Sequence, residues 1–92
     1  MNYRFIGWCK EGTHDKVWGV IHLQDRQCLS FWGRRGAKLQ TKIVYDDWDL
    51  DKLIRKKKNN GYDEIQYYEL EDVYPEFEQD LEKTAIWATL KL

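Results

Sequence analysis

Four short runs rich in β-branched and aromatic residues fall within positions 3–45 of this chain, and they limit its fold more than any other feature. The first two, residues 3–10 (Tyr-Arg-Phe-Ile-Gly-Trp-Cys-Lys) and 16–24 (Lys-Val-Trp-Gly-Val-Ile-His-Leu-Gln), flank the turn-forming Glu11-Gly12-Thr13-His14-Asp15. That pattern predicts an antiparallel hairpin. A tight turn at Asp25-Arg26 leads into a third run over 28–33. The punctuation Gly33-Arg34-Arg35-Gly36 then precedes a fourth over 39–45. Four strands in meander order are the simplest arrangement.

After position 45 the period changes. Asp46 or Asp47 can cap a helix carrying Trp48, Leu50, Leu53 and Ile54, with acids in its first turns and Arg55, Lys56, Lys57 and Lys58 in its last. That charge order complements the helix dipole, and Gly61 is a natural stop. Further on, Pro75 suits a first helical position, and Phe77, Leu81, Ala85, Ala88 and Leu92 recur at helical spacing. A second helix is expected over about 75–90, although 85–92 can also be read as a strand. The expected fold class is α+β: a small antiparallel sheet of about four strands, one packed helix and a C-terminal helix. Residues 1–62 form the principal domain, and 63–92 an acidic extension packed on it.

The formal charge of −1 hides a division. Residues 1–25 are neutral, 26–58 carry +6 and 59–92 carry −7. A basic middle can attract a polyanion even when the total is near zero; it is equally compatible with a solvated surface. Ninety-two residues leave no room for a doubly wound nucleotide-binding sheet or an eight-stranded α/β barrel. No stretch approaches the roughly 20 apolar residues that span a bilayer, and no signal-like run follows Met1, so an intracellular, cytoplasmic protein without membrane contact is expected. Cys9 and Cys28 are expected to be reduced.

The most specific stretch is Phe31-Trp32-Gly33-Arg34-Arg35-Gly36-Ala37-Lys38-Leu39-Gln40-Thr41-Lys42. It resembles the WGR domain family, named for its Trp-Gly-Arg tripeptide and usually continuing as Gly-Thr-Lys-Gly-Gln. The acid-capped helix and the ending Lys57-Lys58-Asn59-Asn60-Gly61-Tyr62 resemble the family's helix and its closing Lys-x-x-x-Gly-Tyr. The likeness covers about residues 3–62. Leu39 stands where the family usually has a second glycine, and residues 63–92 have no counterpart in it. The resemblance implies a nucleic-acid-binding module of the kind that contacts DNA near strand ends in poly(ADP-ribose) polymerases. It implies no enzymatic activity here, because a catalytic domain does not fit in this length.

The residues themselves suit that role. A tryptophan face can stack on an exposed base or sugar, worth about 1–3 kcal/mol per base. Gly33 and Gly36 let phosphate approach main-chain N–H groups. Arg34 and Arg35 offer forked donors, and Lys38 and Lys42 add point charges. The candidate nucleic-acid-binding residues are therefore Trp32, Gly33, Arg34, Arg35, Lys38, Gln40 and Lys42, with DNA preferred over RNA. Each has a plainer reading: Trp32 as core, the glycines as turn formers, the arginines as partners of the acidic segment. Trp8, Trp18, Trp48 and Trp87 read as core or interface, and the acids of 63–82 as a solvated helix face.

Two other chemistries fit poorly. Cys9, His14, His22 and Cys28 follow Cys-x4-His-x7-His-x5-Cys, which matches no zinc pattern. With a two-residue turn at Asp25-Arg26, Leu23 is expected opposite Cys28, and His22 on the other face. No nucleophile stands beside an evident base, and no phosphate-loop fingerprint is present. The rival to nucleic-acid binding is a protein-interaction module, an adaptor or inhibitor using the basic face and the acidic tail. No cofactor is implied.

Overall fold

The computed structural model describes residues 2–84 and is α+β, in agreement with the expected class. Strands β1 (Asn2–Glu11), β2 (His14–Gln24), β3 (Gln27–Arg34) and β4 (Gln40–Tyr45) form an antiparallel meander. A fifth strand, β5 (Asp63–Glu64), pairs with Gly7 and Trp8, so the order is β4-β3-β2-β1-β5. Nothing in Asp63 or Glu64 announces a strand. It exists because the chain leaving the helix runs along the free edge of β1, where the Ile65 N–H donates to the Ile6 carbonyl at 3.0 Å.

The sheet buries both faces, and the alternation along the strands divides the core in two. On one face Phe5, Trp18, Val20 and Cys28 pack beneath Leu50 and Ile54 of helix α1 (Trp48–Asn59). On the other, Ile6, Val17, Ile21, Leu29 and Phe31 meet Leu70, Tyr74, Phe77 and Leu81 from the acidic segment. Residues 63–84 thus supply the second cover of the same sheet. A bulge between Tyr3 and Phe5 sends these two rings to opposite faces.

Helix α1 begins at Asp47, whose carboxylate accepts the Leu50 N–H at 3.1 Å. Arg4 from β1 ties its first turns down through Asp46 and Asp51. Trp48, expected on the packed face, is 64 % exposed. It lies two residues before Leu50, about 200° around the helix, so the Leu50–Ile54 stripe turns it outward.

The predicted helix over 75–90 is not continuous with what precedes it and is short in the described residues. A 3₁₀ turn (Tyr67–Glu69) runs into α2 (Leu70–Val73), and α3 (Phe77–Glu82) follows. Pro75 lies in the connecting turn, and Phe77 and Leu81 hold the expected inward positions. The part of that expectation over 85–90, and Trp87, lie outside the described residues. Asp80 is a correction to the solvated acidic face: it is buried, and the Tyr74 hydroxyl donates to it. Burial and that hydrogen bond push the Tyr74 phenol up to about 12.

The turn after β2 also differs from expectation. His22, not Leu23, pairs with Cys28, and Leu23 is the extra residue of a bulge. The bulge keeps Leu23 against the acidic-segment core, and His22 Nε2 donates to the Asp25 carbonyl 2.7 Å away. His22 and Cys28 therefore share a face. Among the described residues no three of His, Cys, Asp and Glu gather as metal ligands, and Cys9 and Cys28 are free thiols, both buried.

Gly19 marks the tightest point of the sheet. A Cβ there would lie 2.4 Å from Phe31 Cζ and 2.7 Å from the Phe5 carbonyl oxygen. Gly19→Ala is therefore expected to cost about 2 kcal/mol or more, seen as a fall of several degrees in the circular-dichroism melting temperature. An unchanged melt would mean that the ring of Phe31 has room to move.

Candidate nucleic-acid interface

The Trp-Gly-Arg tripeptide ends β3, and a strand's period of two decides what each member does. Trp32 is half-buried on the α1 side of the sheet, between Trp18 on β2 and Gln40 on β4. Arg34, two residues on, points the same way and pairs with Lys16. Lys42 pairs with Ser30 and lies on this face as well. Same-face neighbours along one strand stand about 7 Å apart, a spacing comparable to that of successive phosphates.

Two cations not among the candidates complete this surface. The Lys57 ammonium sits 5.6 Å from the Trp18 ring centre and 5.5 Å from that of Tyr62, and Lys16 is 5.8 Å from Tyr62. Lys16 was legible as the residue two before Trp18, on the same face. Lys57 belongs to a helix-end run that reads as solvated, and nothing in sequence separates it from its neighbours. Among the described residues, Lys16, Arg34, Lys38, Lys42 and Lys57 make no ion pair. Lys58, by contrast, reaches Glu64 at 3.5 Å.

Arg35 is not part of this surface. It lies just past β3, on the other side of the sheet from Arg34, and each of its guanidinium nitrogens donates a hydrogen bond there. Its Nε and Nη2 donate to Asp15 Oδ2 at 3.1 and 2.8 Å, Nη1 donates to the Val73 carbonyl, and the group lies 5.2 Å from the Trp8 ring centre. The Trp8 indole N–H donates to the other Asp15 oxygen at 2.7 Å. Arg35 thus fastens the β1–β2 hairpin to α2, but its carboxylate partner is Asp15 of β2 and not an acid of the C-terminal segment, which supplies only the Val73 carbonyl.

The glycines serve the turn. Gly33 has φ +150° and Gly36 φ +86°, backbone that favours glycine. The Cβ position of Gly33 faces Leu39 Cδ2 at 3.3 Å, and Leu39 is buried in the acidic-segment core. Leu39, where the resembled family has glycine, therefore pins the loop. Lys38 is exposed just before that anchor.

The described residues thus form a small α+β domain with a basic, tryptophan-bearing sheet face beside α1 and an acidic cover opposite. No known family matches the chain, and no curated protein or solved structure matches it either. No helix among the described residues is long and apolar enough to cross a membrane.

The Arg35 clamp has a pH signature. The indole hydrogen bond of Trp8, and then those of Arg35, hold the Asp15 carboxyl below its ordinary 3.8. A carboxyl lowered on folding contributes stability above its unfolded value, and the contribution is lost as pH falls through the folded one. Stability against urea is therefore expected to fall below about pH 4, and Asp15→Asn to flatten that dependence. Equal acid sensitivity in the variant would remove Asp15 from the clamp.

Proposed function

We propose that this chain is a non-enzymatic nucleic-acid-binding module of the WGR kind, engaging the backbone and an exposed base or sugar without reading sequence. The observation that carries the proposal is the common face of Trp32, Arg34, Gln40 and Lys42, whose cations are unpaired among the described residues. Lys16 and Lys57 extend the positive surface, and Lys38 supplies a further cation from the loop. Arg35 is withdrawn from the candidate contacts, since its guanidinium is held on the opposite side of the sheet by Asp15 and Val73.

The division of labour follows from the chemistry. Arg34 presents a planar fork that suits two phosphate oxygens, whereas Lys16, Lys42 and Lys57 act as point charges. The open part of the Trp32 indole provides the flat surface for stacking, with Trp18 as its cross-strand neighbour on β2. No helix is placed to read a groove, because α1 lies flat on the sheet through Leu50 and Ile54. A strand end or single strand suits this arrangement best, since both expose a base or sugar face. DNA is favoured over RNA on the resemblance of Trp32, Gly33 and Arg34 to the WGR tripeptide.

Titration of fluorescently labelled single-stranded, blunt and overhanging DNA at several salt concentrations is the test. Three or four phosphate contacts give a log–log slope of about −3 to −4 on duplex. Arg34→Ala and Lys42→Ala are each expected to reduce it by about 1. Arg35→Ala is expected to lower the melting temperature and leave the slope unchanged. Absence of binding to every form at low salt would overturn the proposal.

A further inference from the structure

The acidic side of the domain carries a groove of about 360 Å³ that the nucleic-acid reading does not use. Tyr3 and Phe77 line its inner wall, their ring centres 6.1 Å apart, and Tyr67 leans on Tyr3 at 5.9 Å and 36°. Tyr67 and Tyr68 are 64 % and 72 % exposed, two adjacent aromatic rings left largely to water on a 3₁₀ turn. Glu71 from α2 and Glu78 from α3 also line the groove, and both are exposed without an ion pair among the described residues.

Charge selects the occupant. Residues 63–84 hold nine carboxylates and one lysine. Of these acids, Asp80 is engaged by Tyr74 and Lys83, Glu64 by Lys58, and Glu69 by the Gln66 N–H. Of the six others, Glu71 and Glu78, on separate helices, are the two that line the groove. The Glu78 carboxylate is close enough to Tyr3 to add to the rise that burial already gives its phenol. A phosphate would be repelled here. A guanidinium would meet tyrosine faces and carboxylates together, and its methylene stem would cover the apolar wall. Arginine suits such a site better than lysine because it stacks on rings, is weakly hydrated and donates to a carboxylate in pairs. The partly open groove suits an extended segment more than an enclosed small cation.

We propose that the groove between the 3₁₀ turn, α2 and α3 is a docking site for an arginine-bearing peptide segment of another protein, with the guanidinium seated between the tyrosines and Glu71 and Glu78. The site is independent of the Trp32 face. A domain with both surfaces would link a nucleic acid on one side of the sheet to a basic protein segment on the other.

The probe is a fluorescein-labelled arginine–glycine repeat peptide followed by anisotropy, with the neutral citrulline version beside it. The full chain is expected to bind the arginine peptide at least about tenfold more tightly than the citrulline one. The Glu71→Gln/Glu78→Gln double variant is expected to lose about tenfold, and Tyr68→Ala about threefold or more. Glu76→Gln, an exposed acid that does not line the groove, is expected to bind as the parent does. Melting curves verify that these surface variants are folded. Arg34→Ala, which weakens the other face, should leave peptide affinity intact, so failure of either proposal is distinguishable from failure of the other. Absence of arginine-dependent binding overturns the proposal. So does an equal loss in Glu76→Gln, which would mark general acidity. Self-association of the parent, abolished in the double variant, also overturns it by making a second copy the occupant.

Discussion

A sheet that is apolar on both faces cannot remain open on either, and that requirement organises this domain. In β2, Val17 and Ile21 face one way and Trp18 and Val20 the other, all buried. One cover comes from α1, which brings the cations of its last turn. The other comes from residues 63–84, which bring most of the acids. The charge division along the chain therefore becomes a division between the two sides of one sheet. That separation puts the apolar cover supplied by the acidic segment on the side of the sheet away from Trp32.

The clamp at the end of the hairpin enforces the arrangement. Asp15 accepts from both Trp8 and Arg35, and Arg35 reaches onward to the Val73 carbonyl. One buttressed carboxylate thus joins β1, β2, the loop after β3 and α2. Leu39 performs a parallel task by burying itself under Gly33. Between them the loop over 34–39 is held from two sides, leaving Arg34 and Lys38 directed at solvent from an anchored backbone. Pre-ordered donors lose less freedom on meeting an anion than donors on a mobile loop.

Much of this was legible in the amino-acid order. Glycine and polar punctuation between β-branched runs marks β1 to β4, and Asp47 with Leu50 and Ile54 marks α1. Strand β5 was not legible, because two acidic residues become a strand only through the edge they pass. The acidic segment is interrupted at Tyr74, whose backbone is non-helical just before Pro75, and α2 ahead of that break is a single turn, too short to show a helical period. Within the motif, Arg34 and Arg35 look alike as a dipeptide. The strand period and the presence of Asp15 across the hairpin give them opposite sides and opposite tasks. The tyrosine groove left no motif at all, since Tyr3 and Tyr67 meet only through the fold.

The central claim is that the two sides of the sheet meet different partners, with nucleic acid confined to the Trp32 side. Indole and backbone amide resonances in a nitrogen-15 correlation spectrum, followed as a short single-stranded DNA is added, address it residue by residue. Shifts are expected at the Trp32 indole and at the amides of Arg34, Gln40 and Lys42, with the Trp8 indole and the amides of Tyr67 and Tyr68 unmoved. Shifts confined to the Trp8 and Tyr67 side, or none at the Trp32 indole under saturating DNA, would contradict the account.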